Sequence, residues 1–489
     1  MVISCMNGMQ NPPIEDMPLK KLFHANYMMK MPFHLKLDTH DCIVECEELI
    51  RLVPGKRLVT LGTWNDKTVV AKLFYERRRA IRHAMRELAG IEILTVSGVP
   101  TPKLLYYGTA QKKRVHVLLF EYISESKSLE TVWQEKKDLR DLALLMQAVT
   151  IELATQHVLG ILQHDLHLKN FLLKENQIFT LDAGSIECSH TPLPKKTSLD
   201  HLGLFFSQLG VGTEELQQTL FEVYTKARGW LVKKADVAYL EAAIRKWNQR
   251  RFQQYESKLT RHCTAFARIA WPQVLIMYDR TYYLPEFKAF LANPENVFQQ
   301  KNTVILKAGR TSTVAKVTLD NKNFVVKRYN IKNITHWLRR CFRPTRAFTS
   351  WRLSHLLRLF GIKTAKPVAF IEKRFLGLRH KSYFVMEYIN GAHLGEYFQE
   401  EQLKDTHEAV ALRIMTLFKN LAKLNMSHGD LKMTNILIEN DSPILIDLDG
   451  MKEHCSKKET ARAYKKEIKR FMQNWTTRPL IKKLFAKWT

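Results

Sequence analysis

The chain has 489 residues, 45% apolar and 10% aromatic, which excludes a disordered or low-complexity polypeptide and exceeds one ordinary domain core. Its 76 Lys and Arg against 48 Asp and Glu leave a formal charge of +28, divided as +7 over residues 1–300 and +21 over residues 301–489. Such a field favours polyanions: phosphorylated substrates, anionic lipid head groups or nucleic acid.

The N-terminus, MVISCMNGMQNPPIEDMPLKKLF, has no basic segment followed by an apolar one, so no secretory signal is expected. No apolar run approaches the ~18 residues of a spanning helix. Seven scattered Cys without a CxxC pair suit a reducing cytosol rather than a disulfide scaffold. Residues 1–45 read as an N-terminal extension and residues 46–285 as a first domain. Within that domain, VVAKLF is a buried strand carrying Lys72. ERRRAIRHAMRELAGIEILTVSG is a helix stopped by Gly98 and Pro100. That helix carries Glu87, with Glu92 as the nearest alternative ion-pair partner for Lys72. VHVLLFEYI is a strand ending at Glu121 and Tyr122. DLALLMQAVTIELATQHVLG is a long helix running into the loop QHDLHLKN, which is followed by a short hairpin ending in TLDAG. Residues 206–285 are predicted helical, and Pro285 and Pro294 mark the link to a second domain over residues 286–489. There NFVVKRY carries Lys327, KSYFVMEYI ends at Glu387 and Tyr388, and HEAVALRIMTLFKNLAKLN leads into HGDLKMTNILI and LIDLDG.

The second series repeats the first. Asp165 and Asp430 are 265 residues apart, as are Asn170 and Asn435, and Asp182 and Asp447. Upstream, the offset is 266 between Glu121 and Glu387 and 255 between Lys72 and Lys327. A drift this small over more than a hundred positions indicates duplication of a whole domain.

The repeated residues suit phosphoryl transfer. That reaction needs a base near the acceptor hydroxyl and hard oxygen ligands for Mg²⁺ on the phosphates. Asp165 and Asp430 fit the base, Asn170 with Asp182 and Asn435 with Asp447 fit the metal, and Lys72 and Lys327 fit the α- and β-phosphates. The segments FEYI and MEYI, with Glu121, Tyr122, Glu387 and Tyr388, fit a hinge whose backbone amides read an adenine.

On these motifs both halves resemble the protein-kinase-like fold, and more narrowly the bacterial lipopolysaccharide core kinases that phosphorylate Kdo or heptose. The second half is the closer, through VVKRYNIKN, GIKTAKPVA, KSYFVMEY, HGDLKMTNILI and LIDLDG. The resemblance implies an α+β fold of two tandem kinase-like domains, each with a β-rich N-lobe and a helical C-lobe. It also implies ATP- and Mg²⁺-dependent phosphorylation of a sugar hydroxyl on a lipid-linked core. The expected place is the cytoplasmic face of the inner membrane, with peripheral contact to an anionic surface.

Departures accompany the likeness. Neither half has a full glycine-rich phosphate loop: the first offers Gly62, the second Gly309. Gln163 stands where His428 stands in the second half. Ser350 aligns with Glu87, and no carboxylate lies between Asp320 and Glu372, so Lys327 lacks a helix partner. Asp449 competes with Asp447 as metal ligand, although the spacing to Asn435 favours Asp447. His157, His164 and His167 surround Asp165, but neighbours in such a loop are more often structural than metal-ligating. Asp200 either supports the loop backbone or caps its helix. A non-catalytic tandem pseudokinase adaptor and a different small-molecule kinase are the alternatives. A nucleic-acid-binding protein is suggested by charge alone.

Two basic stretches suit a membrane surface. HWLRRCFRPTRAFTSWR combines Trp337, Phe342, Phe348 and Trp351 with arginines. The tail RPLIKKLFAKWT gathers Leu480, Ile481, Leu484, Phe485 and Trp488 near one helical face, which fits an interfacial helix or a helix packed on its own domain.

Overall fold

A computed structural model describes residues 15–16, 27, 29–39, 42–135 and 139–488. The chain forms two compact units, one of residues up to 205 with 216–243, the other of residues 206–215 with 244 onward. Both are mixed α/β, as an α+β kinase-like fold requires. Among the described residues no helix is long and apolar enough to cross a membrane.

In the first unit, β1 (Glu15–Asp16), β2 (Phe33–Lys36), β3 (Ile43–Val53), β4 (Arg57–Trp64), β5 (Lys67–Phe74), β6 (Leu104–Ala110) and β7 (Val115–Glu121) make one sheet. Its order is β1-β2-β3-β4-β5-β7-β6. Two-residue periodicity divides β5 between its faces. Val69, Ala71 and Leu73 enter a core with Leu35, Val44, Leu58 and Val117. Lys72 therefore points to the other face, where the helix Ala80–Val96 packs Ala80, Ala84 and Leu94 against Phe74, Leu118 and Phe120. Asn65 and Asp66, both at positive φ, form the two-residue turn joining β4 to β5. The residues of β2, assigned to an extension by sequence, pair instead with β3 and belong to the sheet. Most of that extension lies outside the described residues.

The second unit holds a sheet of β8 (Phe266–Trp271), β9 (Val274–Asp279), β10 (Val304–Ala308), β11 (Ser312–Leu319), β12 (Lys322–Tyr329), β13 (Pro367–Phe375) and β14 (Leu378–Glu387). The order is β8-β9-β13-β14-β12-β11-β10. Reading β10-β11-β12-β14-β13 beside β3-β4-β5-β7-β6 gives the same five-strand pattern. Each sheet then adds two strands, at opposite edges. Asp320 and Asn321, again at positive φ, turn β11 into β12. Phe324 and Val326 enter the core on one face of β12, and Lys327 leaves from the other.

Two expectations change here. Residues 206–285 are not all helical: after the helix Lys234–Lys258 the chain makes the β8–β9 hairpin, and β9 pairs with β13. The second compact unit consequently begins before residue 286. Of the two readings of the tail, the helix packed on its own domain is the one found. In Pro479–Ala486, Ile481 and Phe485 are fully buried against Phe398, Phe471 and Trp475, with Leu484 and Trp488 packed beside them.

Candidate active site

In the first unit, the packing that carries Lys72 inward also sets its partners. Lys72 Nζ lies 2.5 Å from Glu87 Oε1 and 2.8 Å from Asp182 Oδ1. Glu87 is 2% exposed, whereas Glu92 on the same helix is exposed, so Glu87 is the ion-pair partner. Burial opposes the charge on Lys72, but the carboxylates of Glu87 and Asp182 outweigh it and hold the ammonium above its ordinary pKa. Burial would likewise raise Asp182, yet Lys72, then Arg57 and Arg51, pull it below the usual carboxylate range. The helix approaches closely because residue 90 is glycine: a Cβ there would stand 2.0 Å from Ala183 O. Asp182 itself sits in the left-handed region at φ 54°, which turns its carboxylate back toward the lysine.

The loop before it is braced from both ends. Asn170 Nδ2 donates to Asp165 O at 2.7 Å, and Leu181 N donates to Asn170 O at 2.7 Å. With its NH₂ so directed, the Asn170 side-chain oxygen is the group left to act as a ligand. Asp165 is solvent-facing, with His167 Nε2 3.4 Å from Oδ1. His164 turns away to Glu187 at 2.9 Å. His157 is buried in a chain: its Nδ1 meets Tyr224 Oη at 2.6 Å, its Nε2 meets His201 Nδ1 at 2.8 Å, and His201 Nε2 meets Gln163 O at 2.8 Å. One set of neutral tautomers satisfies every link. Tyr224 donates to His157, His157 to His201, and His201 to the carbonyl. Burial holds His201 down to about 4 and His157 well below its usual value, in keeping with neutral rings. His157, His164 and His167 thus do not converge. His201, next to Asp200 in sequence, gives the loop backbone one hydrogen bond through Gln163 O.

The second unit builds a comparable cluster differently. Lys327 is 6% exposed and pairs with Asp447 and, at 3.0 Å, with Asp449 Oδ2. Arg346, at the start of the helix Arg346–Leu359, pairs with the same Asp449 oxygen at 2.7 Å. Ser350 occupies the expected helix position but shares a hydrogen bond with Tyr329 Oη at 3.0 Å. Asp449 therefore supplies the carboxylate the helix lacks, and Arg346 anchors it. Burial would raise Asp447, but Lys327 holds it below the usual range. Asp447 repeats the left-handed φ of Asp182, at 62°.

Gln163 and His428 also do one job. Gln163 Nε2 donates to Leu181 O at 2.9 Å, and His428 Nε2 meets Ile446 O at 3.0 Å. Each carbonyl belongs to the residue just before the Asp that faces the lysine. Asn435 Nδ2 donates to Asp430 O at 2.8 Å, as Asn170 does to Asp165. Asp430 is more constrained than Asp165: Arg470 NH2 is 2.5 Å from Oδ1 and Lys432 Nζ 2.9 Å from Oδ2. From the same helix, Lys457–Gln473, Glu467 Oε1 accepts from Gly429 N at 2.5 Å. Gly429 needs its freedom, with φ 81° and Gly450 O 2.4 Å from where a Cβ would stand.

The hinge segments match in backbone terms. Glu121 N donates to Lys103 O and Glu387 N to Lys366 O, while Tyr122 N donates to Thr68 O and Tyr388 N to Asn323 O. All four amides expected to read an adenine are thus engaged within the sheets. The side chains serve the fold too: Glu121 accepts from Lys103 N at 2.9 Å, and Glu387 accepts from Tyr282 Oη. Tyr388 stacks under Lys316 Nζ at 3.9 Å. Gly62 lies inside β4. The turn before that strand carries Gly55, at φ 69°, a position the Pro54–Gly55 pair signals. Gly309 does fall in the turn between β10 and β11, donating to Ser312 O at 3.0 Å.

The family model described as the lipopolysaccharide kinase (Kdo/WaaP) family matches residues 62–189 and 288–486. The serine/threonine-protein kinase RAD53 of Saccharomyces cerevisiae is 35% identical over 66 residues, which are 13% of this chain and 8% of that protein. The chain therefore spans under a tenth of the length of that curated relative. With the family model covering more than half of its residues, the chain belongs to the lipopolysaccharide kinase (Kdo/WaaP) family.

Proposed function

We propose that the protein transfers the γ-phosphoryl group of ATP to a hydroxyl of Kdo or heptose in the lipopolysaccharide core, at the cytoplasmic face of the inner membrane. The observation that carries the reading is the buried Lys72 held by Glu87 and Asp182, echoed by Lys327 with Asp447 and Asp449. We propose also that the two units are copies of one kinase-like domain, a reading supported by their common five-strand order. Their division then falls before β8, earlier than the spacing of motifs alone suggests.

In this reading Lys72 and Lys327 bind the α- and β-phosphates, since a preorganised ammonium in a water-poor cleft opposes the phosphate charge efficiently. The donor sets fit a hard cation: the amide oxygen of Asn170 with the carboxylate of Asp182, and Asn435 with Asp447. Mg²⁺, when bound there, neutralises charge between the β- and γ-phosphates. Asp165 or Asp430 accepts a hydrogen bond from the acceptor hydroxyl, orients its oxygen and receives its proton. Lys432 and Arg470 hold the carboxylate of Asp430 in one orientation. Adenine contacts fall to the carbonyls of the hinge and to residues beyond Tyr122 and Tyr388.

The test is transfer of labelled phosphate from ATP to purified core lipopolysaccharide. Single Asp165→Ala and Asp430→Ala variants report which unit works, and intact transfer in the double variant refutes the mechanism. Nucleotide at about 100 times its Kd adds about 2.7 kcal/mol of thermal stability to a binding protein. No shift with Mg·ATP assigns the chain to the adaptor alternative.

A further inference from the structure

The basic stretch 332–346 is only partly absorbed by the core. Trp351 is fully buried and Phe348 packs beside it, so the sequence-level view of four membrane-facing aromatics does not hold. What remains outside is more specific. Phe342 is 75% exposed and Leu376 85%, joined by the exposed Ile334, Leu338, Phe375 and Trp271. They come from three segments: the short helix Ile334–Leu338 with its following turn, the β13–β14 turn, and the β8–β9 turn.

Side-chain and backbone contacts tie these segments into one surface. Trp337 packs edge-on to Phe375 at 6.1 Å, and its Nε1 donates to Arg379 O at 2.9 Å. Arg379 in turn donates to Phe342 O at 3.1 Å. Arg374 N donates to Gln273 O at 2.7 Å, which holds the tip bearing Trp271 beside the β13–β14 turn. Lys332, Arg339, Arg340 and Arg343 are exposed around the apolar residues. The chain has no carboxylate from residue 321 to 371, and Glu372 beneath the patch is buried and already bound by Arg374 and Arg379.

We infer that this face of the second unit docks on an anionic lipid bilayer. Large apolar side chains at the tips of turns enter the acyl boundary, and surrounding guanidinium groups pair with head-group phosphates. Charge complementarity selects the occupant: cations ring the patch without a competing carboxylate. Phe342, Phe375 and Trp271 offer rings that a nucleobase could stack on, but the aliphatic tips Ile334, Leu338 and Leu376 among them gain nothing from a base and partition readily into lipid. The inference deepens the kinase reading by supplying the surface that brings the cleft to a lipid-linked acceptor.

The full chain, without nucleotide or acceptor, is sedimented with vesicles of phosphatidylethanolamine and phosphatidylglycerol, and separately with phosphatidylcholine alone. Binding to the first and not the second is expected. Arg339→Gln, Arg340→Gln and Arg343→Gln together lower it by about a hundredfold, at roughly fivefold per charge. Phe342→Glu with Leu376→Glu lowers it at least ~10-fold, and melting curves check that both variants remain folded. A wild-type chain left in the supernatant overturns the inference, as do variants that bind like wild type. Binding of single-stranded RNA that the arginine variant loses, with vesicles unbound, assigns the face to nucleic acid instead. Kinase inactivity leaves this measurement unchanged, so the two readings fail separately.

Discussion

Glu467 offers a sharp test of how the loop that carries Asp430 is held. Its carboxyl sits under the turn at Gly429, where burial pushes it up to about 7 while the Gly429 N–H and Arg470 pull it down. A carboxyl raised in the folded state binds its proton more tightly folded than unfolded. Its stabilising contribution is full below the ordinary 4.5 and is lost as pH rises through about 7. The gap between those two values corresponds to on the order of 3 kcal/mol. Glu467→Gln keeps an oxygen able to accept from Gly429 N but removes the titration. Urea unfolding of wild type and variant is measured side by side from pH 4.5 to 8.5. The variant gains relative stability across this window, by on the order of 3 kcal/mol above pH 8. A difference between the two proteins that stays constant with pH refutes the reasoning.

Phe485→Ala removes a ring stacked on Trp475 at 5.3 Å and buried with Phe398 and Phe471. It should cost about 3–5 kcal/mol in chemical denaturation. A change that lowers vesicle binding without lowering stability contradicts a packed tail. His201→Ala breaks the Tyr224–His157–His201–Gln163 chain and leaves buried polar groups unpaired. A loss of about 1–3 kcal/mol follows, with faster hydrogen exchange at residues 161–165. Unchanged exchange there refutes the bracing role.

Much of this site is legible in the sequence because local rules and function agree. Alternation in VVAKLF places Lys72 opposite a buried face, and helical spacing brings Glu87 to it. The second unit shows where such reasoning stops. Lys327 finds its carboxylate in Asp449, 122 residues away, a contact that only tertiary packing creates. The absent helix carboxylate and the extra Asp in LIDLDG are the available signals, and each needs the other to be interpreted. Gln163 illustrates a different limit: a side-chain amide reaches the same carbonyl as an imidazole, so a changed letter conceals a kept bond. The β8–β9 hairpin was detectable in outline, since Ile269, Val274 and Ile276 flank a turn at Pro272. The tail was not, because an amphipathic helix presents the same pattern to a core as to a lipid.

The outer strand of the second sheet has a consequence for handling the protein. β10 ends the strand order, and its residues Val304, Ile305 and Leu306 are all exposed. An open aliphatic edge is a template on which another extended chain can pair, the usual start of aggregation. The register shift between Ile305 and Lys307 interrupts that template, and the Lys307 ammonium adds charge that an incoming strand would have to accommodate. At this edge the guard against strand addition is thus one bulge and one lysine, beside the turn at Gly309.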